Sequence, residues 1–151
     1  KMSKHPPDTT IVLFFLLIIS VSYLIKFFSS IHGVRRKTYG EILLPLGILI
    51  AYLIAGGATT TYLVAVLILA ISDSFAGIAG DLKFFDRKGI AGSFIFFITA
   101  FAIIIFFFKD QQLPLIFTIA LVITFVERVS NYGTDNVSIP FAASILLKIL
   151  L

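Results

Sequence analysis

Six of the eight carboxylates in this chain stand in or beside long apolar runs, close to lysines, arginines and glycines. They are Glu41, Asp73, Asp81, Asp86, Glu127 and Asp135. Carboxylate oxygens together with phosphate oxygens are the usual ligands of Mg²⁺ in proteins. These residue types therefore point to metal-assisted chemistry on a phosphate compound.

Asp73 has the most informative setting of the six. It lies seven residues before Gly80 in a run dominated by Leu, Ile, Val and Ala, and helical spacing places Ala76, Gly77 and Gly80 on its face. These small residues leave room beside the carboxylate for a metal, a phosphate or a partner backbone. The alternative is a packing stripe of small residues, with Asp73 paired to a cation on another helix. We favour a site, because acids within apolar helices usually mark one.

The segment from Lys88 to Ser93 is a candidate phosphate-binding site at the start of a predicted helix. A helix start presents unpaired N–H groups and the positive end of the helix dipole. Lys88 adds a cation, Gly92 permits close approach, and Ser93 adds a hydroxyl. The spacing is not that of a P-loop. A Lys88 side chain that merely extends to the membrane interface is the alternative interpretation.

A third group consists of Glu127 followed by Asp135, Asn136 and Pro140. Asp and Asn are preferred at helix N-caps and Pro suits an early helical turn, so the pattern taken alone favours capping. These oxygens are nevertheless expected at the same end of the protein as Asp73 and the basic loops. They are therefore also candidates for the metal site.

The composition argues against a soluble globular protein. Of 151 residues, 59% are apolar and 13% charged, whereas soluble domains are roughly 45–50% apolar and about 25% charged. The absence of Cys excludes disulfides and thiolate metal sites, and His5 and His32 lack ligand-spaced partners. The net charge of +4 is better explained by cations in cytoplasmic loops than by nucleic-acid binding.

Six apolar segments predict an all-α protein: a polytopic integral membrane helix bundle of about six transmembrane or re-entrant helices, in one domain over residues 1–151. The segments cover residues 11–28, 41–57, 62–80, 90–108, 113–130 and 137–151. A helix of 18 residues is about 27 Å long, close to the hydrocarbon thickness of a bilayer. The second and sixth segments are short and contain Pro45 and Pro140, which predicts a tilt, a kink or a re-entrant path.

The distribution of cations predicts the orientation of these segments. Two connections are basic: that at 29–40 contains Arg35, Arg36 and Lys37, and that at 81–89 contains Lys83, Arg87 and Lys88. The connection at 56–61 is uncharged, and in that at 109–112 Lys109 is followed by Asp110. Because basic loops remain in the cytoplasm, the candidate site is predicted on the cytoplasmic face.

Four blocks, taken in order, resemble the membrane lipid kinases that use CTP: dolichol kinase, phytol kinase and the CTP-dependent diacylglycerol kinase. They are Arg35-Arg36-Lys37-Thr38-Tyr39-Gly40-Glu41 with Pro45-Leu46-Gly47; Asp73-Ser74-Phe75-Ala76 with Gly80; Lys88 with Gly92-Ser93; and Glu127 with Gly133-Thr134-Asp135-Asn136 and Pro140. The resemblance covers about residues 34–146. The family's Lys-Ser/Thr-x-Glu-Gly-Ser motif has no counterpart here to its hydroxyl at Gly89 or its carboxylate at Ala91. Asp81 also stands where the family often has a basic residue.

The resemblance implies phosphoryl transfer from CTP, with Mg²⁺ or another divalent cation, to the hydroxyl of a polyprenol, phytol or diacylglycerol. On this interpretation Asp73, Glu127 and Lys88 are catalytic, and Asp73 and Asp135 bind the metal. The residues assigned to the nucleotide and its metal are Lys37, Glu41, Lys88, Gly92, Ser93 and Asn136. The expected partners are CTP and a lipid alcohol in the bilayer; a homo-oligomer is compatible with the sequence, and nucleic acid is not expected.

Two other functions stay open at this point. A membrane cytidylyltransferase would attack the α-phosphate of CTP and form a CDP-lipid. A non-catalytic transporter or assembly partner could keep the same fold. A transporter is expected to show inverted repeats, and no repeat is visible in the sequence.

Overall fold

The computed structural model describes residues 8–31, 39–81, 90–131 and 133–151. Within these ranges the chain forms six helices and no β-strand. The helices are α1 (Thr9–Ile31), α2 (Gly40–Ala55), α3 (Thr59–Leu67, Ile68–Ser72 and Asp73–Asp81, without a break), α4 (Ile90–Phe107), α5 (Leu113–Val129) and α6 (Asp135–Leu150). The all-α prediction is confirmed for the described residues, and every helix boundary lies within three residues of the predicted one.

Two of the helices are long and apolar enough to cross a membrane. They are Thr59–Ile78 within α3, with a mean hydropathy of 1.9, and Ile90–Phe107, which is α4, with a mean hydropathy of 2.6. Only 22% of the α4 window is buried inside the bundle, so large side chains such as Phe94 and Phe106 face outward. That all six helices enter a membrane stays a prediction.

The core forms where α3, α4, α5 and α6 pack together. On α4 the buried residues Gly92, Phe96, Ala100 and Ile104 recur every four positions, which is the spacing of one helix face. On α5 the buried stripe ends at Glu127. Among the described residues, α1 packs against α2 alone.

α2 and α6 lie side by side and run in the same direction. At their starts the side chain of Asn136 donates a hydrogen bond to the Gly40 carbonyl, at 3.3 Å. Near their ends the Lys148 ammonium donates to the Ile54 carbonyl. The pair is therefore in contact from the first turn to the last.

Pro45 and Pro140 each occupy the sixth position of their helix, and neither ends it. A proline lacks the N–H that would bond to the carbonyl four residues earlier. In α6 that carbonyl belongs to Asn136, and it lies directly against the backbone of Gly47. The loss of one helical hydrogen bond thus accompanies a close backbone contact between α2 and α6.

A π-helical turn covers Ile68–Ser72 in the middle of α3, immediately before Asp73. Such a turn contains one extra residue, so it changes the direction of every side chain that follows. After it, Ala76 is buried, whereas a Cβ built on Gly77 would meet no atom within 4 Å. The predicted small-residue face beside Asp73 is therefore packed at Ala76 and open at Gly77.

We expect Gly47→Ala to weaken the fold. The new Cβ would overlap the Asn136 carbonyl oxygen and lie 2.9 Å from its carbon, and backbone atoms cannot rotate away as a side chain can. Overpacking of this kind lowers the free energy of unfolding by about 1–3 kcal/mol. Thermal unfolding of the purified protein in detergent measures the loss.

Gly77→Ala is the matched control, because it adds the same methyl group to a helix where there is open space. Alanine is preferred over glycine within helices by roughly 0.5–1 kcal/mol. The control should therefore unfold at the parent temperature or slightly above it. An unchanged unfolding temperature for Gly47→Ala would contradict the close contact.

Candidate functional site

Three side-chain hydrogen bonds connect four helix ends at one end of the bundle, which we call the polar end. The first is the Asn136–Gly40 bond between α6 and α2. The second joins the Ser130 and Ser138 hydroxyls at 2.6 Å, between the end of α5 and the start of α6. The third runs from Arg128 Nη1 on α5 to Ser93 Oγ on α4, at 3.3 Å.

The polar end thus brings together the starts of α2, α4 and α6, as the sequence predicts. Each start offers N–H groups without helical partners and the positive end of a helix dipole. The opposite end of the bundle contains Gly56, whose Cβ position is 3.2 Å from Lys148 Nζ, and Gln111, which donates to the Leu151 carbonyl at 3.3 Å. Of the predicted site residues, Ser93, Glu127, Asp135 and Asn136 lie in the helix turns that meet at the polar end.

The turn before α6 packs tightly on the first residue of α2. Gly133 has φ of +88°, and a Cβ there would lie 2.7 Å from the Gly40 nitrogen. Glycine is therefore required here for two reasons: it adopts a positive φ without strain, and it has no side chain to clash with Gly40. Asp135 follows in the first turn of α6, half-buried, and its Oδ1 accepts a hydrogen bond from the Asn136 N–H at 3.0 Å.

The prediction that Asp135 and Asn136 act as helix caps is wrong. The N-cap position is Thr134, and its side chain makes no capping hydrogen bond. The Thr134 hydroxyl instead donates to the Asn131 carbonyl at 2.7 Å and accepts from the Asn131 N–H at 3.1 Å. The side chains of Asp135 and Asn136 are therefore placed by the first turn of α6.

Glu127 continues the buried stripe of α5 and is only 5% exposed. It lies four residues after Ile123, hence on the same helix face, and within the last turn of the helix. Burial and the negative end of the helix dipole both disfavour a carboxylate charge at this position. A buried acid at this position must be compensated by a partner group or by a proton, and the functional role of Glu127 stays a prediction.

Arg128 is a residue that the sequence reasoning did not assign to the site. Its exposed side chain reaches from the last turn of α5 to Ser93 in the first turn of α4, where Gly92 is buried. A cation is therefore present at the helix start that was predicted to bind phosphate. The sequence did contain a signal for this role. Arg128 is a basic residue in the last turn of α5, and α5 ends at the polar end.

Asp73 is half-buried directly after the π-helical turn, on a segment of α3 that packs against α4. The preceding Ser72 is fully buried, and within the described residues its hydroxyl has no hydrogen-bond partner. π-Helical turns occur frequently at functional sites. The sequence pattern did not reveal this turn.

The remaining predicted residues are only partly covered by the structure. Lys37 and Lys88 lie outside the described residues, and Glu41 is described only as the second residue of α2. Within the described ranges, no three His, Cys, Asp or Glu side chains form a group that could hold a metal. Mg²⁺ that arrives with a nucleotide usually takes only one or two protein carboxylates, with phosphate oxygens and waters completing the octahedron. Asp73 on α3 and Asp135 on α6 are both half-buried and stay the predicted carboxylates of such a site.

A cavity of about 400 Å³ opens between α2 and α6 beside the polar end. Its lining residues are Leu43, Leu46, Thr134, Val137, Ser138 and Phe141. The two hydroxyl groups among them are already hydrogen-bonded to Asn131 and Ser130, so the cavity offers an apolar wall. Its volume is within the range of about 300–1,000 Å³ typical of ligand sites.

No family model, curated protein or solved structure matches this chain.

We expect Arg128→Gln to weaken binding of a nucleoside triphosphate. Hydrogen bonds to charged groups contribute about 1.5–3 kcal/mol, which corresponds to at least about a tenfold increase in Kd. Titration of the purified protein with CTP measures the change. Lys109→Gln is the control, since Lys109 is also an exposed cation and lies next to Asp110 at the opposite end. Equal affinities in the two variants would remove Arg128 from the site.

Proposed function

We propose that this protein is a membrane lipid kinase that transfers the γ-phosphoryl group of CTP to the hydroxyl of a lipid alcohol. The observation that carries the proposal is the position of the apolar cavity between α2 and α6, immediately beside an end of the bundle where three helices start. The apolar cavity suits a hydrocarbon chain, and the helix starts suit phosphates. A lipid kinase must bind both within one site.

On the nucleotide side, the phosphates lie at the start of α4. Ser93 and the N–H groups of the first turn donate to phosphate oxygens, and Gly92 allows the backbone to come close. Arg128 supplies a positive charge there through its contact with Ser93. Lys88 and Lys37 are assigned to the same phosphates by the resemblance to the CTP-dependent lipid kinases.

On the metal side, Asp73 and Asp135 provide the carboxylates. A divalent cation bound between them and the nucleotide would neutralise the charge that develops on the phosphates during transfer. Glu127 orients the acceptor hydroxyl or contributes a further ligand.

In the transfer step, the hydroxyl oxygen of the lipid attacks the γ-phosphorus, and the bond from that phosphorus to the β–γ bridging oxygen breaks. CDP leaves, and the hydroxyl proton passes to one of the site carboxylates. Most of the rate enhancement in such reactions comes from positioning and from stabilisation of the phosphate charge. The helix starts and Arg128 provide both without a covalent intermediate.

The apolar exterior supports a location in the bilayer. The outward-facing residues Leu13, Phe14, Phe94, Phe106, Phe125 and Ile149 are each about half exposed or more, and a surface of such residues is better solvated by lipid than by water. We assign all six helices to the membrane and the polar end to its cytoplasmic side, because the basic loops precede α2 and α4. The lipid acceptor then stays in the membrane while CTP arrives from the cytosol.

The direct test is incubation of the purified protein with Mg²⁺, a panel of prenols, phytol and diacylglycerol, and CTP labelled at the γ-phosphate. We expect label in the lipid product with at least one acceptor. CTP labelled at the α-phosphate provides the matched experiment, since label from that position in the lipid would identify a cytidylyltransferase instead. Absence of transfer from both nucleotides would favour the transporter or assembly-partner alternative.

We expect Asp73→Asn to abolish transfer without loss of stability. The change is nearly isosteric and keeps a hydrogen-bonding side chain at this half-buried position, so the protein without ligands should unfold close to the parent temperature. Addition of Mg²⁺ and CTP should raise the unfolding temperature of the parent but not of the variant, because a ligand that does not bind cannot stabilise.

Asp110→Asn is the control for this experiment, because Asp110 is exposed in the turn between α4 and α5, away from the polar end. It should keep both turnover and the ligand-dependent shift. An Asp73→Asn protein that keeps them as well would exclude Asp73 from the metal site. A much lower unfolding temperature without ligands would indicate a structural ion pair instead.

A further inference from the structure

We propose that Asn136 is a positioning residue, which acts on the reaction by holding the start of α2 against the start of α6. This differs from the role expected from the sequence, in which Asn136 assists the metal and the nucleotide. The inference rests on the proposed phosphoryl transfer for its kinetic test, whereas the contact itself is measurable without any activity.

The first contact is made by the side chain. Asn136 Nδ2 lies 3.3 Å from the Gly40 carbonyl oxygen, and only the amide nitrogen of Asn can donate to a carbonyl. The same nitrogen lies 2.9 Å from the position that a Gly40 Cβ would take. The amide group is therefore fitted closely against the first residue of α2.

The second contact is made by the backbone of the same residue. Pro140 leaves the Asn136 carbonyl without its usual helical donor, and that carbonyl lies against Gly47, two turns further along α2. In a helix, carbonyls point toward the C-terminus and side chains lean toward the N-terminus. One residue of α6 can thus reach both Gly40 and Gly47 because the two helices run in the same direction.

These two contacts fix the groups on which the proposed reaction depends. The Asp135 carboxylate accepts the Asn136 N–H, so its position follows that of Asn136. The walls of the cavity belong to the same pair of helices, with Leu43 and Leu46 on α2 and Val137 and Phe141 on α6. Loss of the Asn136 amide would leave the Asp135 bond to the backbone N–H in place, but it would release the start of α2 and so shift one wall of the lipid cavity relative to the metal and the nucleotide.

The first variant is Asn136→Ala, which removes the amide and leaves the backbone contact. We expect the kcat for phosphoryl transfer to fall by at least about tenfold, because misplacement of reacting groups by about 1 Å can lower a rate by about a hundredfold. The dissociation constants for CTP and Mg²⁺, measured by titration, should stay at the parent values. A residue that binds the metal or the nucleotide would instead raise one of these constants.

The second variant replaces the hydrogen bond with a covalent link, Gly40→Cys combined with Asn136→Cys. The sequence of residues 1–151 contains no cysteine, so within this chain the two introduced thiols can pair only with each other. We expect the oxidised protein to regain most of the parent kcat and unfolding temperature, and the reduced protein to be as slow as Asn136→Ala. A disulfide has no metal-binding or nucleotide-binding group, so it can restore only a positioning role.

The outcomes separate this inference from the proposed function. A parent protein that transfers no phosphate overturns the proposed function, and the positioning role with it. An active parent with an unchanged kcat in Asn136→Ala, or an oxidised pair that is folded yet as slow as the reduced one, overturns the positioning role alone. If Asn136→Ala binds CTP or Mg²⁺ more weakly and the disulfide does not restore binding, Asn136 binds the metal or the nucleotide directly and the positioning role is wrong.

Discussion

The contact between the Gly47 backbone and the Asn136 carbonyl is the constraint on which the arrangement of this bundle depends. It combines three local features: a glycine without a side chain, a proline that frees a carbonyl, and two helices that run in the same direction. The parallel direction follows from chain order, because three helices separate α2 from α6 and successive helices alternate in direction. The same alternation makes α4 parallel to both, so three helix starts collect at one end.

The three helix starts determine the electrostatics of the polar end. Three positive dipole ends and Arg128 favour anions there, whereas the half-buried Asp135 brings a carboxylate to the same end. Phosphates and carboxylates repel one another unless a cation lies between them. In the proposed reaction, a divalent cation that arrives with the nucleotide would lie between the two and remove this repulsion.

The sequence predicted the helices and the end at which the polar residues meet, because both follow from long apolar runs and from the order of the segments. It could not predict which side chains touch. The Asn136–Gly40 bond joins residues that are 96 positions apart, and the Arg128–Ser93 bond joins residues that are 35 positions apart. Neither pairing can be read from the local sequence pattern. The capping prediction failed for a similar reason: Asp and Asn have high N-cap preferences, but the actual N-cap, Thr134, uses its hydroxyl in a turn with Asn131. The π-helical turn before Asp73 adds one residue without any compositional mark.

The apolar cavity and the polar end are linked by the way in which α2 and α6 pack. The helices approach closely where Gly40 and Gly47 face α6, and larger side chains, among them Leu43, Leu46 and Phe141, surround a space beside that line of contact. A hydrocarbon chain in this space would exclude water from the first turn of α6. Exclusion of water strengthens charge interactions nearby, including the proposed one between Asp135 and a metal. In the proposed reaction, occupation of the cavity by the acceptor lipid would therefore strengthen the binding of the metal when both substrates are present. Lipid binding and phosphoryl transfer would then be coupled through the contact between α2 and α6.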